Sequence, residues 1–243
     1  MKSHFFACTA QFLRTLRVYM KNKIRFMSTN NKNQSQETTE KTEHSDAMGV
    51  CQRVIKRLFD IVFSFLGMVL LSPVFLVFFI ILAFDKGPVI FRQERVGYKG
   101  RPFTIYKFRT MKVDSEGDGV PRLAEEGDKR LTRMGVFLRA HHLDELPQLW
   151  NVFKGDMSFV GPRPERQYFI NQINAETDDY KYIYLMRPGV TSYATLYNGY
   201  TDTMEKMLKR LEYDLDYLDN RSIMLDLKII LTTFVSVAGG KKF

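Results

Sequence analysis

The stretch IVFSFLGMVLLSPVFLVFFIILAF, Ile61 to Phe84, contains no charged residue and carries a Ser-Pro pair, Ser72 and Pro73, near its middle. At about 1.5 Å per residue, a straight helix of this length spans a bilayer. Pro73 argues against straightness, because proline lacks an amide donor and kinks a helix, and lipid offers no water to the freed carbonyl. The flanks bear on topology. Arg53, Lys56 and Arg57 precede the run, and Lys86, Arg92 and Arg95 follow it. Lys and Arg gather on the cytoplasmic side of membrane segments. Basic residues at both ends therefore favour a re-entrant hairpin, bent at Pro73, that enters and leaves by one face. A single span is the competing reading, and these residues alone do not separate the two.

The chain has 243 residues, room for one compact domain besides the membrane segment and a tail. Three regions follow: a polar and basic tail over residues 1–50, the membrane segment over 51–86, and a domain over 87–243. The formal net charge of +9 calls for an anionic partner such as lipid head groups, nucleotides, phosphorylated substrates or nucleic acid. Cys8 and Cys51 both precede the apolar run, which excludes a disulfide framework or a cysteine metal site in the domain and suits a reducing compartment. Residues 1–26 mix Lys and Arg with Phe5, Phe6, Phe12, Leu13 and Leu16 and hold no acid. They read either as a short amphipathic helix on a membrane or as residues upstream of a start at Met27 or Met48. Residues 27–49 have almost nothing to bury and are expected to be disordered.

Beyond the apolar run, Asp85-Lys86-Gly87-Pro88 reads as a turn, Val89–Phe91 as a short strand, Gly97–Arg101 as a turn and Phe103–Phe108 as an alternating strand. Asp114–Asp128, rich in acids, Gly and Pro, reads as a loop. Arg133–Ala140 reads as a helix. A further helix, opened by Pro147 and running to about Phe153, is expected to bury Leu146, Leu149, Trp150 and Phe153. Glu165–Tyr184 is predicted as one helix with Tyr168, Phe169, Ile173 and Tyr180 inward, Met186–Asn198 as a structured loop, and Thr203–Tyr217 as an amphipathic helix. The final apolar helix, Ser222 to about Val237, is short for a span and is expected to pack or to lie at an interface. The fold class is α-rich α+β: a membrane helix segment followed by a compact, mostly helical domain with a few short strands.

Asp144-Glu145 is the pair with the greatest chemical potential. Just ahead of Pro147, both acids are expected at a helix N-terminus, where free amides favour anions. Neighbours on a helix point about 100° apart, so the two acids have separate roles rather than forming one clamp. An ionised Asp there can be a nucleophile, a metal ligand or both, although spacing alone favours the plainer reading of Asp144 as a helix N-cap. Basic residues crowd the surrounding segments: Arg92, Arg95, Lys99, Arg101, Lys107, Arg109 and Lys112, then Arg139 just upstream of the pair. Gly161-Pro162-Arg163-Pro164 and Arg187-Pro188-Gly189 each set an Arg in a stiff loop, which lowers the entropy lost on gripping phosphate. Together these favour a phosphate-handling site beside a membrane. No helix-turn-helix, zinc or RNA-recognition signature accompanies the charge, so nucleic acid is not the expected partner. His141 and His142 are adjacent and cannot easily face one ion, which leaves them a supporting place at most.

In order along the chain stand Lys56-Arg57-Leu58-Phe59-Asp60, Ser72-Pro73, Gln93-Glu94-Arg95-Val96-Gly97 and Tyr106-Lys107-Phe108-Arg109-Thr110-Met111. Leu143-Asp144-Glu145-Leu146-Pro147-Gln148-Leu149-Trp150-Asn151-Val152, Lys154-Gly155-Asp156-Met157-Ser158, Gly161-Pro162-Arg163-Pro164 and Arg187-Pro188-Gly189-Val190-Thr191 follow. This series resembles the bacterial sugar transferases, monotopic phosphoglycosyl transferases that start glycan assembly on polyprenyl phosphate, over about residues 52 to 240, in their small catalytic-core form. The resemblance implies a re-entrant helix broken at Ser72-Pro73 and an interfacial catalytic domain on the cytoplasmic face of a bacterial inner membrane. It implies transfer of a sugar 1-phosphate from a UDP-sugar to undecaprenyl phosphate, with release of UMP, at the start of capsule, exopolysaccharide or lipopolysaccharide assembly. Asp144 matches the nucleophile and a ligand of Mg²⁺, and Glu145 a base or orienting group. Lys107, Arg139 and Arg163, with Arg109 and Arg187 after them, match positions that hold phosphate. Membrane lipid is an implied partner, and a homodimer is left open. Two departures stand out. His141-His142 replaces a common Thr-Ser, and Ser192-Tyr193-Ala194-Thr195-Leu196-Tyr197-Asn198-Gly199-Tyr200 replaces a common Gly-Trp-Ala-Gln-Val-Asn-Gly-Arg, which leaves the donor sugar open.

Overall fold

The computed structural model describes residues 43–85, 87–113, 115, 121–123, 127–198 and 201–238, and those from His44 onward form one compact unit. The expected amphipathic helix over 1–26, the disorder over 27–42 and most of the loop over 114–128 lie outside the described residues.

The apolar run forms two helices, α1 (Val50–Leu70) and α2 (Ser72–Ala83), bent by 60° at Leu71. Among the described residues no single helix is long and apolar enough to cross a membrane; only the bent pair together has that length and composition. The chemistry of the bend is local. Pro73 cannot donate to the carbonyl four residues back, Val69, and the Ser72 hydroxyl donates to that same oxygen at 2.7 Å. The pair's polarity is reversed relative to a soluble core helix. On α1 the buried side chains are Asp60 and Ser64, while Phe63, Leu66 and Leu70 are exposed. On α2 Leu76, Phe79 and Ile80 are exposed, with Leu82 buried against Phe108 and Leu138.

One turn of α1 ties this pair to the rest. Lys56 donates to the Val160 carbonyl at 2.9 Å and pairs with Asp226, which also accepts from the Tyr217 hydroxyl. Arg57 donates to the Val152 and Phe153 carbonyls at 2.6 and 2.8 Å. The Asp60 carboxylate accepts from the Ser158 hydroxyl at 3.1 Å and the Phe159 amide at 3.0 Å. The end of the tail joins in, contrary to its expected disorder. Met48 is buried, Asp46 pairs with Arg53 and Arg221, and Asp219 accepts from Ser45 and bonds the His44 ring. Composition undervalued this segment because one Met and one Asp, correctly placed, suffice to anchor it.

The domain beyond the apolar pair begins with an antiparallel hairpin, β1 (Ile90–Val96) and β2 (Pro102–Phe108), which sets Phe91 opposite Lys107 and Gln93 opposite Ile105. Lys99 and Gly100 adopt positive φ in the connecting turn. Helix α3 (Arg133–Ala140) is capped by Thr132, whose hydroxyl accepts from the Gly135 amide at 2.9 Å. Gly135 is required by contact: a Cβ there would lie 1.9 Å from the Thr110 carbonyl oxygen. Helix α4 (Gln148–Lys154) ends at Gly155, with φ of 102°. Asn151 docks α4 on β2, donating to the Thr104 carbonyl at 2.7 Å and accepting from the Tyr106 amide at 3.1 Å.

Two short strands, β3 (Ser158–Val160) and β4 (Gly189–Thr191), pair in parallel. The main core gathers Val160, Ile170, Ile173, Met186, Met207 and Leu218 between them and α5 (Gln167–Glu176), α7 (Met204–Asn220) and α8 (Ile223–Ala238). Several expectations are corrected. The single helix over Glu165–Tyr184 is α5 followed by a 3-10 segment, Asp178–Leu185. Extended Thr177 separates them, its hydroxyl accepting from the Asp179 amide at 3.2 Å, a local bond that competes with helix. Met186–Asn198 contains β4 and a short helix, α6 (Tyr193–Asn198). Trp150 and Tyr168, expected inward, are 49% and 44% exposed.

Candidate active site

Asp144 and Glu145 occupy a 3-10 turn, Leu143–Glu145, rather than the first turn of α4. His142 enters the turn in the left-handed region, with φ of 54° and no side-chain cap. Residues in a 3-10 turn step about 120°, so the two carboxylates diverge. Glu145 faces β2, where Lys107 meets Oε1 at 2.6 Å, and the Gly161–Pro164 loop, from which Arg163 reaches the same oxygen at 3.4 Å. Asp144 is buried, and among the described residues no side chain or amide hydrogen-bonds its carboxylate, so it is not the N-cap that spacing allowed.

The same neighbours act oppositely on the two acids. Burial works against the charge of Glu145, but Lys107 and Arg163 overcome it and hold the carboxyl down at about 2. Burial pushes Asp144 up, and the adjacent Glu145 charge pushes it further; Lys107, Arg139 and Arg163 restrain the rise. The turn thus pairs a permanently ionised, cation-bound Glu with an unengaged Asp in a cationic field. For a metal, the donor set is sparse: among the described residues no three His, Cys, Asp or Glu side chains group together.

Of the predicted phosphate-binding residues, three converge. Lys107 and Arg163 bind Glu145, and Arg139, in the last turn of α3, is aimed by a 3.1 Å bond from Nε to the Thr110 hydroxyl. Two do not join them. Arg109 is buried against Asp85 at 3.1 Å, at the end of the apolar pair. Arg187 donates Nε to the Gly155 carbonyl at 3.0 Å and stacks over Tyr98 at 5.1 Å. His141 turns back onto the Phe137 carbonyl at 2.9 Å, away from the acids. Sequence reading missed Thr110 and Asn151, which aim Arg139 and α4. A polar Asn between Trp150 and Val152, inside the otherwise apolar run Leu149–Phe153, was the available signal.

The family description "Bacterial sugar transferase" matches residues 51–240, and the chain belongs to that family. It is 40% identical over 187 residues to the UDP-N-acetylgalactosamine-undecaprenyl-phosphate N-acetylgalactosaminephosphotransferase of Aeromonas hydrophila, covering 76% of this chain and 44% of that protein. It is 46% identical over 183 residues to the UDP-glucose:undecaprenyl-phosphate glucose-1-phosphate transferase of Klebsiella pneumoniae, covering 74% of this chain and 39% of that protein. A Caulobacter vibrioides protein of the latter name is 42% identical over 185 residues, 75% of this chain and 69% of its own length. The match thus spans less than half the length of the first two relatives. Their named donors differ at similar identity, so likeness selects no sugar.

Proposed function

We propose that the protein transfers a sugar 1-phosphate from a UDP-sugar to undecaprenyl phosphate at the inner face of a bacterial cytoplasmic membrane, through an aspartyl-phosphosugar intermediate. The observation that carries this is the division of labour in the turn: Glu145 absorbs Lys107 and Arg163, and Asp144 is left unengaged. An Asp144 oxygen attacks the β-phosphorus, the bond from that phosphorus to the bridging oxygen breaks, and UMP leaves with the bridging oxygen. An oxygen of undecaprenyl phosphate then attacks the acyl phosphate, the phosphorus–carboxylate bond breaks, and Asp144 is restored. Lys107, Arg139 and Arg163 would take the diphosphate charge, and Glu145, bound to Lys107 and Arg163, would orient two of these cations.

Mg²⁺ fits this donor set, since it keeps several waters and is held by one or two carboxylates plus substrate phosphates. Asp144 would hold it, and when bound it would neutralise the diphosphate and the departing UMP. The bent pair α1–α2, with its apolar side outward, supports a re-entrant hairpin rather than a span. The exposed stripe of Met224, Leu227, Leu231 and Phe234 supports α8 lying at the interface. Such placement brings the lipid-borne acceptor phosphate and a soluble donor to one turn.

The test is UMP release from a panel of UDP-sugars by the full chain in nanodiscs, with Mg²⁺ and undecaprenyl phosphate, beside Asp144→Asn. Sustained release with one donor, dependent on the lipid and lost in the variant, is expected. Equal release by the variant would remove Asp144 as nucleophile.

A further inference from the structure

A second buried charge cluster lies behind Arg163. Arg163 sits in a loop whose backbone is pinned on both sides: the Gly161 amide donates to Thr191 at 3.1 Å and the Gly189 amide to Pro162 at 2.9 Å. The two segments touch so closely that a Cβ on Gly161 would lie 2.2 Å from the Arg187 carbonyl oxygen and one on Gly189 2.2 Å from the Gly161 amide nitrogen. The loop's far end is Glu165. Its carbonyl accepts from the Val96 amide at 3.0 Å, and its buried carboxylate is gripped by Arg210 of α7, with Arg95 of β1 at 3.6 Å. Arg95 also donates to the Pro164 carbonyl at 3.3 Å. Arg163 and Glu165, Arg210, Asp214 and Tyr180 line one small cavity. Asp214 follows Arg210 by one helical turn, is buried, and leaves Oδ1 without a hydrogen bond.

This cluster touches neither acid of the catalytic turn, yet it is joined to that turn through two residues, Pro164 and Arg163. We propose that Glu165, held by Arg210 and Arg95, is a positioning residue that sets Arg163 over Glu145, and that Asp214, buried one turn beyond Arg210 with its Oδ1 unbonded, leaves Arg210 to Glu165. The groups facing Asp214 are Arg210 on its own helix, Glu165 and Arg163 from the loop, and Tyr180 from the 3-10 segment. Ionised, Asp214 would set a second carboxylate beside Glu165 and compete with it for Arg210. Burial and the Glu165 charge raise the Asp214 carboxyl, despite Arg210, to about 7, so the competition sets in above neutrality. The loop then loses part of its support, and phosphate binding at Arg163 weakens.

The inference rests on the proposed nucleotide site, so its test reads binding rather than turnover. UDP affinity is measured by calorimetry on the full chain in nanodiscs, from pH 6 to 8.5, for the wild type, Glu165→Gln, Arg163→Gln, the double variant and Asp214→Asn. Glu165→Gln should weaken UDP by about tenfold, the scale of one charge-assisted hydrogen bond, and the double variant should bind no more weakly than Arg163→Gln alone. Asp214→Asn should match the wild type at pH 6 and bind UDP several-fold more tightly at pH 8.5; the ligand's own ionisation is common to both proteins. Additive losses in the double variant, or an unchanged pH profile in Asp214→Asn, would overturn the proposal while leaving the nucleotide site standing. No UDP binding by the wild type would overturn both.

Discussion

Arg163 stands between two carboxylate pairs that share one plan. In each, one acid is claimed by two cations, Glu145 by Lys107 and Arg163, Glu165 by Arg210 and Arg95. In each, the other acid is buried with no side-chain hydrogen bond among the described residues: Asp144 in the turn, and Asp214, whose Oδ1 is unbonded, on α7. The pairs differ in the cations left over. Around Asp144 the charges of Lys107, Arg139 and Arg163 all oppose the effect of burial, whereas Asp214 has Arg210 alone, offset by Glu165. The proposed nucleophile acts as a carboxylate, and the extra cations around Asp144 restrain the rise that burial and Glu145 impose on it. A carboxyl that only supports a loop can be neutral.

The largest effect that would break this comparison is at Asp144. Asp144→Asn should lower UMP release by about 10⁴-fold or more, as loss of a nucleophile does. Its folded-state pKa is raised, so ionisation costs stability above the unfolded value, and the same variant should melt no lower than the wild type at pH 7.5. Glu145→Gln should act in the opposite sense on stability. Its pKa is depressed, so its contribution is present above the unfolded value and is lost as pH falls toward about 2. The variant strands Lys107 and Arg163, lowering both the melting temperature at pH 7.5 and kcat/KM, the latter by about 10²-fold. A melt of the two variants side by side in nanodiscs checks the signs. If both fall together, the two acids are not divided in role.

The second pair yields a smaller effect. The Asp214 carboxyl is raised to about 7, so the unfolded chain releases its proton first and stability falls as pH climbs from about 4 to 7. Asp214→Asn removes that loss. It should raise the melting temperature at pH 8, by several degrees, and change it little at pH 4. An equal shift at both values would mean that packing, not charge, governs the site.

The first pair could be read from the chain and the second could not, for a physical reason. Asp144 and Glu145 are adjacent, and Arg139, Lys107 and Arg163 sit in motifs of their own, so local patterns sufficed. Glu165 and Asp214 meet only because β3 and β4 pair in parallel and α7 folds back over them. Strands of three residues carry no visible alternation, so Ser158–Val160 went unseen and Met186–Asn198 read as loop. Motif membership also misled at Arg109. It follows Lys107 by two, the spacing of one strand face, but β2 ends at Phe108 and the chain turns Arg109 toward Asp85. Arg187 likewise spends its Nε on Gly155. The apolar pair was clearest of all, because its break has a local signal: Pro73 withholds an amide and the Ser72 hydroxyl bonds the Val69 carbonyl.

That last point gives the smallest prediction, and it contrasts the membrane pair with both charge clusters. Ser72→Ala removes the side-chain donor to the Val69 carbonyl, leaving it only the Leu71 amide, which is shared with Gly67, while Pro73 still withholds its own. A fully unsatisfied carbonyl costs about 1–3 kcal/mol, which at this chain length sets an upper range of roughly 2–12 °C for the melting shift. The double variant Ser72→Ala, Pro73→Ala should recover most of that loss, because replacing the proline restores an amide donor and with it the helical bond to Val69. The recovered helix keeps no proline to bend it, however, and activity should not return with stability if the bent pair is the re-entrant hairpin proposed above. Recovery of both together would mean that the hairpin's angle is held by Lys56, Arg57 and Asp60 rather than by the Ser-Pro pair.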